Sequence, residues 1–148
     1  RVPRRCDDQR MSTEQSPTLY EQLGGEEPLR KLVNDFYDAM ATYPYTQGIL
    51  QMHPADLSGS RQKLFEFLSG WTGGPQLFIE RHGHPRLRAR HMPFRIGIAE
   101  RDQWLLCFHA ALKKSSFSEP LQEHLWGLIS NLANHMRNQA EGPETTDA

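Results

Sequence analysis

Arg81-His-Gly-His-Pro-Arg-Leu-Arg-Ala-Arg-His-Met-Pro-Phe-Arg95 is the run around which the rest of the chain arranges itself. Pro85 lies inside it and Pro93 near its end, so the segment from Gln76 to Pro93 permits only short helical pieces. On both sides the pattern becomes helical. Downstream, Ile98, Trp104, Leu105, Phe108 and Leu112 mark a long helix, and Ser116 or Ser118 caps a last one with the stripe Leu121, Leu125, Leu128, Leu132 and Met136. Upstream, Leu57, Ser60, Leu64, Phe67, Leu68 and Trp71 share one face of a helix that Gly73-Gly74-Pro75 stops. Before it, Pro44 and Pro54 bracket a stretch with at most a helical turn, and Leu29, Leu32, Val33, Phe36, Tyr37 and Met40 form another stripe. Glu26, Glu27 and Pro28 suit the start of that helix. Thr18-Leu-Tyr-Glu21 has capping-box spacing and opens a short helix ended by Gly24-Gly25. Nothing alternates for long enough to be a strand. The chain reads as all-α, with four substantial helices, a short one in front and an irregular segment in the middle.

A length of 148 residues suits one domain. Residues 1–17 lack an apolar face and read as a flexible arm in which Met11 could be an alternative start. Residues 140–148, AEGPETTDA, read as an acidic disordered tail, which leaves 18–139 as the folded domain. Seventeen Lys+Arg against 18 Asp+Glu give a net charge of −1, which argues against a nucleic-acid binder. Two cysteines, Cys6 and Cys107, exclude a disulfide scaffold. The longest nearly apolar run, Trp104 to Leu112, is interrupted by His109 and is too short to span a bilayer. No signal-peptide core follows the four arginines of the first ten residues, so a cytoplasmic protein is expected.

Seven histidines are the obvious carriers of chemistry. His109, His124 and His135 fall on helices, where an exposed or satisfied imidazole is the plain reading. His82-Gly83-His84 could chelate a metal such as zinc with His91 as third ligand, which would make the chain a small His-rich binding or interaction module. His91 has a second reading. It sits two residues before Pro93 in a short helical piece, with Phe94 following. An imidazole held stiffly toward an apolar cavity is what a haem iron needs on its proximal side, and a surface histidine is the remaining alternative.

The run Arg81–Arg95, followed by Glu100-Arg-Asp-Gln-Trp-Leu-Leu-Cys107, resembles the truncated haemoglobins of group II, the O-type. The similarity extends over about Leu19 to Met136 and includes Gly24-Gly25, Phe36-Tyr37 and Trp71-Thr-Gly-Gly-Pro75. It implies a two-over-two helical sandwich around haem b, iron protoporphyrin IX. His91 matches the proximal histidine and would be the metal ligand. Tyr37 matches the distal tyrosine that donates to bound ligand, and Trp104 the tryptophan that marks the group; for both, plain core packing is the other reading. His53 matches a pocket position where the group varies, and Ser60 falls at the distal gate. Leu64 and Phe67 would roof the ring. Lys63, and Arg86, Arg88 or Arg90, could reach its propionates or be solvated surface charges.

The resemblance implies O₂, CO, NO or other small ligands and a reductase that the sequence does not identify. Reversible O₂ binding or transport, reaction of O₂ with nitric oxide and peroxide-linked oxidation would all use one pocket. A monomer or small homo-oligomer is expected.

Overall fold

In the computed structural model, residues 16–139 are described. The expected arm over 1–17 lies outside them apart from Ser16 and Pro17, and the expected tail over 140–148 lies wholly outside. Helix α1 covers Leu19–Leu23, α2 Glu26–Thr42, α3 Gln47–Leu50, α4 Ser58–Trp71, α5 Leu77–His82, α6 Leu87–His91, α7 Ile98–Lys114 and α8 Glu119–His135. A 3₁₀ turn at Pro44–Thr46 runs straight into α3, so the segment between the two prolines holds slightly more helix than its breakers suggest.

Local chemistry sets the helix ends. Thr18 Oγ1 accepts from Glu21 N at 3.1 Å while Glu21 Oε1 accepts from Thr18 N at 3.0 Å, completing the capping box of α1. Gly24 at φ 104° ends that helix in a left-handed conformation that glycine adopts without strain. Ser118 rather than Ser116 caps α8, accepting from Leu121 N at 3.3 Å. Gly74 has a packing reason: a Cβ there would sit 2.5 Å from the Tyr20 ring, where α1 crosses the turn after α4.

The four long helices pack as two pairs, α2 with α4 and α7 with α8, joined through α2 and α7. Phe36, Met40, Leu29 and Leu32 of α2, Phe108 of α7 and Leu125 and Ile129 of α8 are fully buried between them. Two stripes differ from their spacing. On α8 the buried line is Leu125, Ile129 and Ala133, and Leu128 is 37% exposed, because packing selects the i, i+4 line over the i, i+3 one. On α4 the buried side chains are Phe65, Glu66, Leu68 and Ser69. Of the face expected from spacing, Leu68 is buried as expected, while Leu57, Ser60, Leu64, Phe67 and Trp71 are only half-buried.

Among the described residues no helix is long and apolar enough to cross a membrane.

Candidate functional site

The half-buried stripe of α4 belongs to a cluster of aromatic and apolar side chains with unpaired polar tips. Phe36 is its hub. Its ring meets Tyr37 edge-on at 4.9 Å and Trp104 at 4.9 Å, and Trp104 stacks on Phe108 at 5.8 Å with 7° between planes. Sequence placed Phe36 and Tyr37 on the apolar stripe of α2 and Trp104 on that of α7; the fold brings them together.

The Tyr37 side chain is nearly buried, yet its hydroxyl has no hydrogen-bond partner among the described residues. Burial raises its pKa far above a phenol's usual value, the Arg61 charge opposes this, and Cys107 adds to it. Tyr37 is therefore a neutral O–H donor rather than a phenolate at ordinary pH. The half-buried Trp104 likewise has no acceptor for its indole N–H among the described residues.

His53 follows α3, its ring 5.7 Å from that of Tyr37. Its Nδ1 lies 2.8 Å from the Ile49 carbonyl, which can only accept. Nδ1 therefore carries the proton, and in the neutral ring Nε2 carries the lone pair.

His91 ends α6 with the same device: Nδ1 donates to the Leu87 carbonyl at 2.7 Å, leaving the lone pair on Nε2. Helix α6 buries no side chain. Polar bonds tether it at both ends. Arg90 donates through Nε to the Pro85 carbonyl and through Nη2 to the His82 and His84 carbonyls. Arg88 Nη1 donates to the His135 carbonyl at 2.7 Å, at the end of α8. Asn138 Nδ2 donates to the carbonyls of His91 and Phe94, and its Oδ1 accepts from Ile96 N.

The remaining expected residues fall as follows. Ser60, Leu64 and Phe67 lie along the half-buried face of α4, and Phe67 stacks on Trp71 at 6.2 Å. Lys63 is exposed. Arg86, also exposed, begins α6 in a left-handed conformation, φ 46°. Arg88 is engaged with α8 as described. The three-histidine zinc site does not form: among the described residues no group of three or more His, Cys, Asp or Glu could hold a metal ion. His82 turns to Glu66 and His84 accepts from Arg86 N, while His91 faces its own helix turn through Nδ1.

Sequence reasoning missed Glu66, Asn138 and Arg61. Glu66 is 1% exposed, a carboxylate inside an otherwise apolar Phe65-Glu66-Phe67 triplet. Burial works against its charge, but hydrogen bonds from Gln62 and His82 and the charges of Arg81 and His82 outweigh it and hold the carboxyl below its usual range. Arg61 clamps α4 to α2 through the Asn34 carbonyl at 3.1 Å and Asp38 at 2.8 Å, with its guanidinium 5.9 Å from the Tyr37 ring. A charged residue within an apolar triplet was a usable signal for Glu66; nothing local marks Asn138.

Comparison with known proteins converges on one family. The family profile described as bacterial-like globin matches residues 18–138. The group 2 truncated haemoglobin YjbI of Bacillus subtilis (strain 168) is 40% identical over 125 residues, covering 84% of this chain and 92% of that protein. Among solved structures, the cold-adapted truncated haemoglobin of the Antarctic marine bacterium Pseudoalteromonas haloplanktis TAC125 superposes with a TM-score of 0.81 at 48% identity, covering 84% of this chain and 100% of that one. The group II 2-on-2 haemoglobin of the plant pathogen Agrobacterium tumefaciens gives 0.81 at 45% identity, covering 85% and 98%.

Proposed function

The chain belongs to the bacterial-like globin family as a truncated haemoglobin of group II, a haem globin for diatomic ligands, and on that premise we propose that it binds haem b through His91 and holds O₂ reversibly beneath Tyr37 and Trp104. The observation that carries this reading is the pairing of a preset imidazole with two unpaired donors. His91 presents an Nε2 lone pair because Nδ1 is committed to Leu87. Tyr37 is nearly buried and its hydroxyl lacks an acceptor among the described residues.

The side chains fit the group. A histidine that ligates a metal usually gives its other N–H to a backbone carbonyl, which fixes the ring and raises its basicity. Leu57 just before α4 and Leu64, Phe67 and Trp71 on it form a half-buried apolar line that suits the ring, and the exposed Lys63 beside Leu64 suits a propionate. Arg88 serves the same site from behind, tying α6 to α8. Haem, when bound, would supply the iron that His91 would hold and at which a diatomic gas would bind.

The chain's own residues then divide the work. His91 holds the group in place. Tyr37 and Trp104 direct an O–H and an N–H at a partly negative ligand, in a pocket whose low polarity strengthens both bonds. His53, its ring 5.7 Å from that of Tyr37, contributes an acceptor rather than a donor at the same pocket while it is neutral. Ser60, small and half-buried, keeps the side entrance open. Leu64 and Phe67 exclude water.

The test is reconstitution with haem. A Soret band is expected in the wild type and in His84→Ala, while His91→Ala should lose stable iron coordination and regain it with added imidazole. A chain with no Soret band, or a His91→Ala variant with an unchanged ferrous spectrum, would overturn the reading.

A further inference from the structure

We propose that Glu66 is a positioning residue for the iron ligand, its carboxylate acting through His82 and the loop after it to set where α6 holds His91. The inference rests on His91 being that ligand. A carboxylate at 1% exposure is costly unless donors meet it. Glu66 is met by Gln62 Nε2 at 2.9 Å, by His82 Nε2 at 2.9 Å and by Arg81 Nε at 3.3 Å. Gln62 is itself fixed by Arg30 Nη1 of α2 at 3.2 Å. The carboxylate is thus anchored to the core on one side and grips the end of α5 on the other.

From His82 the link continues to α6. The His82 ring packs on Phe78 at 4.6 Å, and the Arg90 guanidinium lies 5.3 Å from the same Phe78 ring. Arg90 also gathers the carbonyls of His82, His84 and Pro85, and it is the residue before His91. The connection between is tight: Gly83 has φ 81°, and Arg86 takes its left-handed conformation with its N–H on His84 Nδ1 at 3.1 Å. Because α6 buries nothing, it has no apolar packing of its own to fix its place. Its position is set by polar moorings, Arg88 and Asn138 toward α8 and the frame around Arg90 toward α5, and the first residue of that frame is held by Glu66. Helix α5 does not need the His82 bond to stay on α4, since Phe78 is already buried there and Arg81 pairs with the same carboxylate.

The experiment compares wild type, Glu66→Ala, Glu66→Gln and Glu80→Gln, an exposed carboxyl on α5, the helix that ends in His82. Two quantities are read: the iron–histidine stretching band in resonance Raman of the ferrous, gas-free protein, and amide exchange over residues 87–91 in both the haem-loaded and the haem-free chain. Glu66→Ala should shift and broaden the band and speed exchange in α6 by about tenfold. Glu66→Gln, which still accepts from His82, should stay near wild type, as should Glu80→Gln. A folded Glu66→Ala with wild-type band and exchange overturns the proposal. Should that variant fail to fold, His82→Ala severs the same link from a side chain already 30% exposed, and an unchanged band and exchange there overturn it equally. A wild type without an iron–histidine band would instead remove the ligand assignment, and exchange in the haem-free chain would then decide whether Glu66 holds α6.

Discussion

His53 follows one short helix and His91 ends another, and each gives its Nδ1 proton to the carbonyl four residues back, at 2.8 and 2.7 Å. The local turn orients both rings alike. What differs is how each turn is held. Helix α3 buries Ile49, packs on α2 and α7, and sets His53 against the Tyr37 ring. Helix α6 buries nothing and is suspended from Arg88, Arg90 and Asn138. Orientation of an imidazole is thus a matter of one hydrogen bond, whereas its location is set by apolar packing on one side of the site and by polar moorings on the other. The packed side should answer to changes of volume, and the moored side to changes of charge and hydrogen bonding.

The largest effect should follow from breaking the packed side at its hub. Phe36→Ala removes a fully buried ring that touches Tyr37, Trp104 and Phe108, and should cost about 3–5 kcal/mol, read as a fall in denaturation midpoint. It should also loosen both distal donors, so a variant with normal stability would contradict the packing described.

Next come the donors themselves. Hydrogen bonds to a strongly polarised acceptor contribute ~1.5–3 kcal/mol, and ~1.4 kcal/mol is tenfold in a dissociation constant. Tyr37→Phe or Trp104→Phe should each speed O₂ release by roughly ten- to a hundredfold, with CO affected less. Phe36 couples the two rings, so the double variant should depart from additivity. Stopped-flow dissociation of both gases checks this; equal effects on the two gases would point to pocket volume instead.

On the moored side, Asn138→Ala deletes two donated bonds and two accepted bonds, from Ile96 N and Gln139 Nε2, a loss of roughly 1–3 kcal/mol. Its mark should be faster amide exchange in α6 with exchange in α3 unchanged. Equal acceleration in both would erase the distinction between the two sides.

The smallest effect is acid sensitivity. Glu66 has its carboxyl held below the ordinary value of 4.5. A depressed carboxyl contributes stability that is complete above its unfolded value and disappears as pH falls through its folded one. Wild type should therefore exceed Glu66→Gln in haem-free thermal stability near neutrality, and the gap should close as pH falls below the ordinary carboxyl value. A gap that widened with acid would refute the assignment of the charge.

The contrast also explains what could be read beforehand. Stripes such as Leu29–Leu32–Val33–Phe36–Met40 and caps such as Thr18 and Ser118 are local properties of sequence, so element order and class followed from them. The candidate pocket face was legible in a distorted form: Leu64 and Phe67 fell on the expected stripe of α4, but spacing could not say that all of this stripe except Leu68 would stay half-buried while Phe65 and Glu66 went inside. The group resemblance named Tyr37, Trp104 and His91 for the site, where spacing alone left their nearest alternatives open. The moorings were illegible because they join residues far apart in the chain, Arg88 to His135 and Asn138 to His91, through backbone carbonyls that carry no sequence signal. The zinc alternative failed for a related reason: three histidines close in sequence each found a different partner.

Cys107 adds a built-in clock to this architecture. Its sulfur is completely buried beside the α2–α7 seam, and burial pushes its pKa up to about 11 against a lesser opposing hydrogen bond from Thr46. A thiol reagent needs both access and thiolate, and at pH 7 only about one molecule in ten thousand would be ionised even at that pKa. Each alkylation at this sulfur therefore records an occasion on which the two helix pairs came apart. Counting such events over hours times the breathing of the whole sandwich, without any label having been introduced.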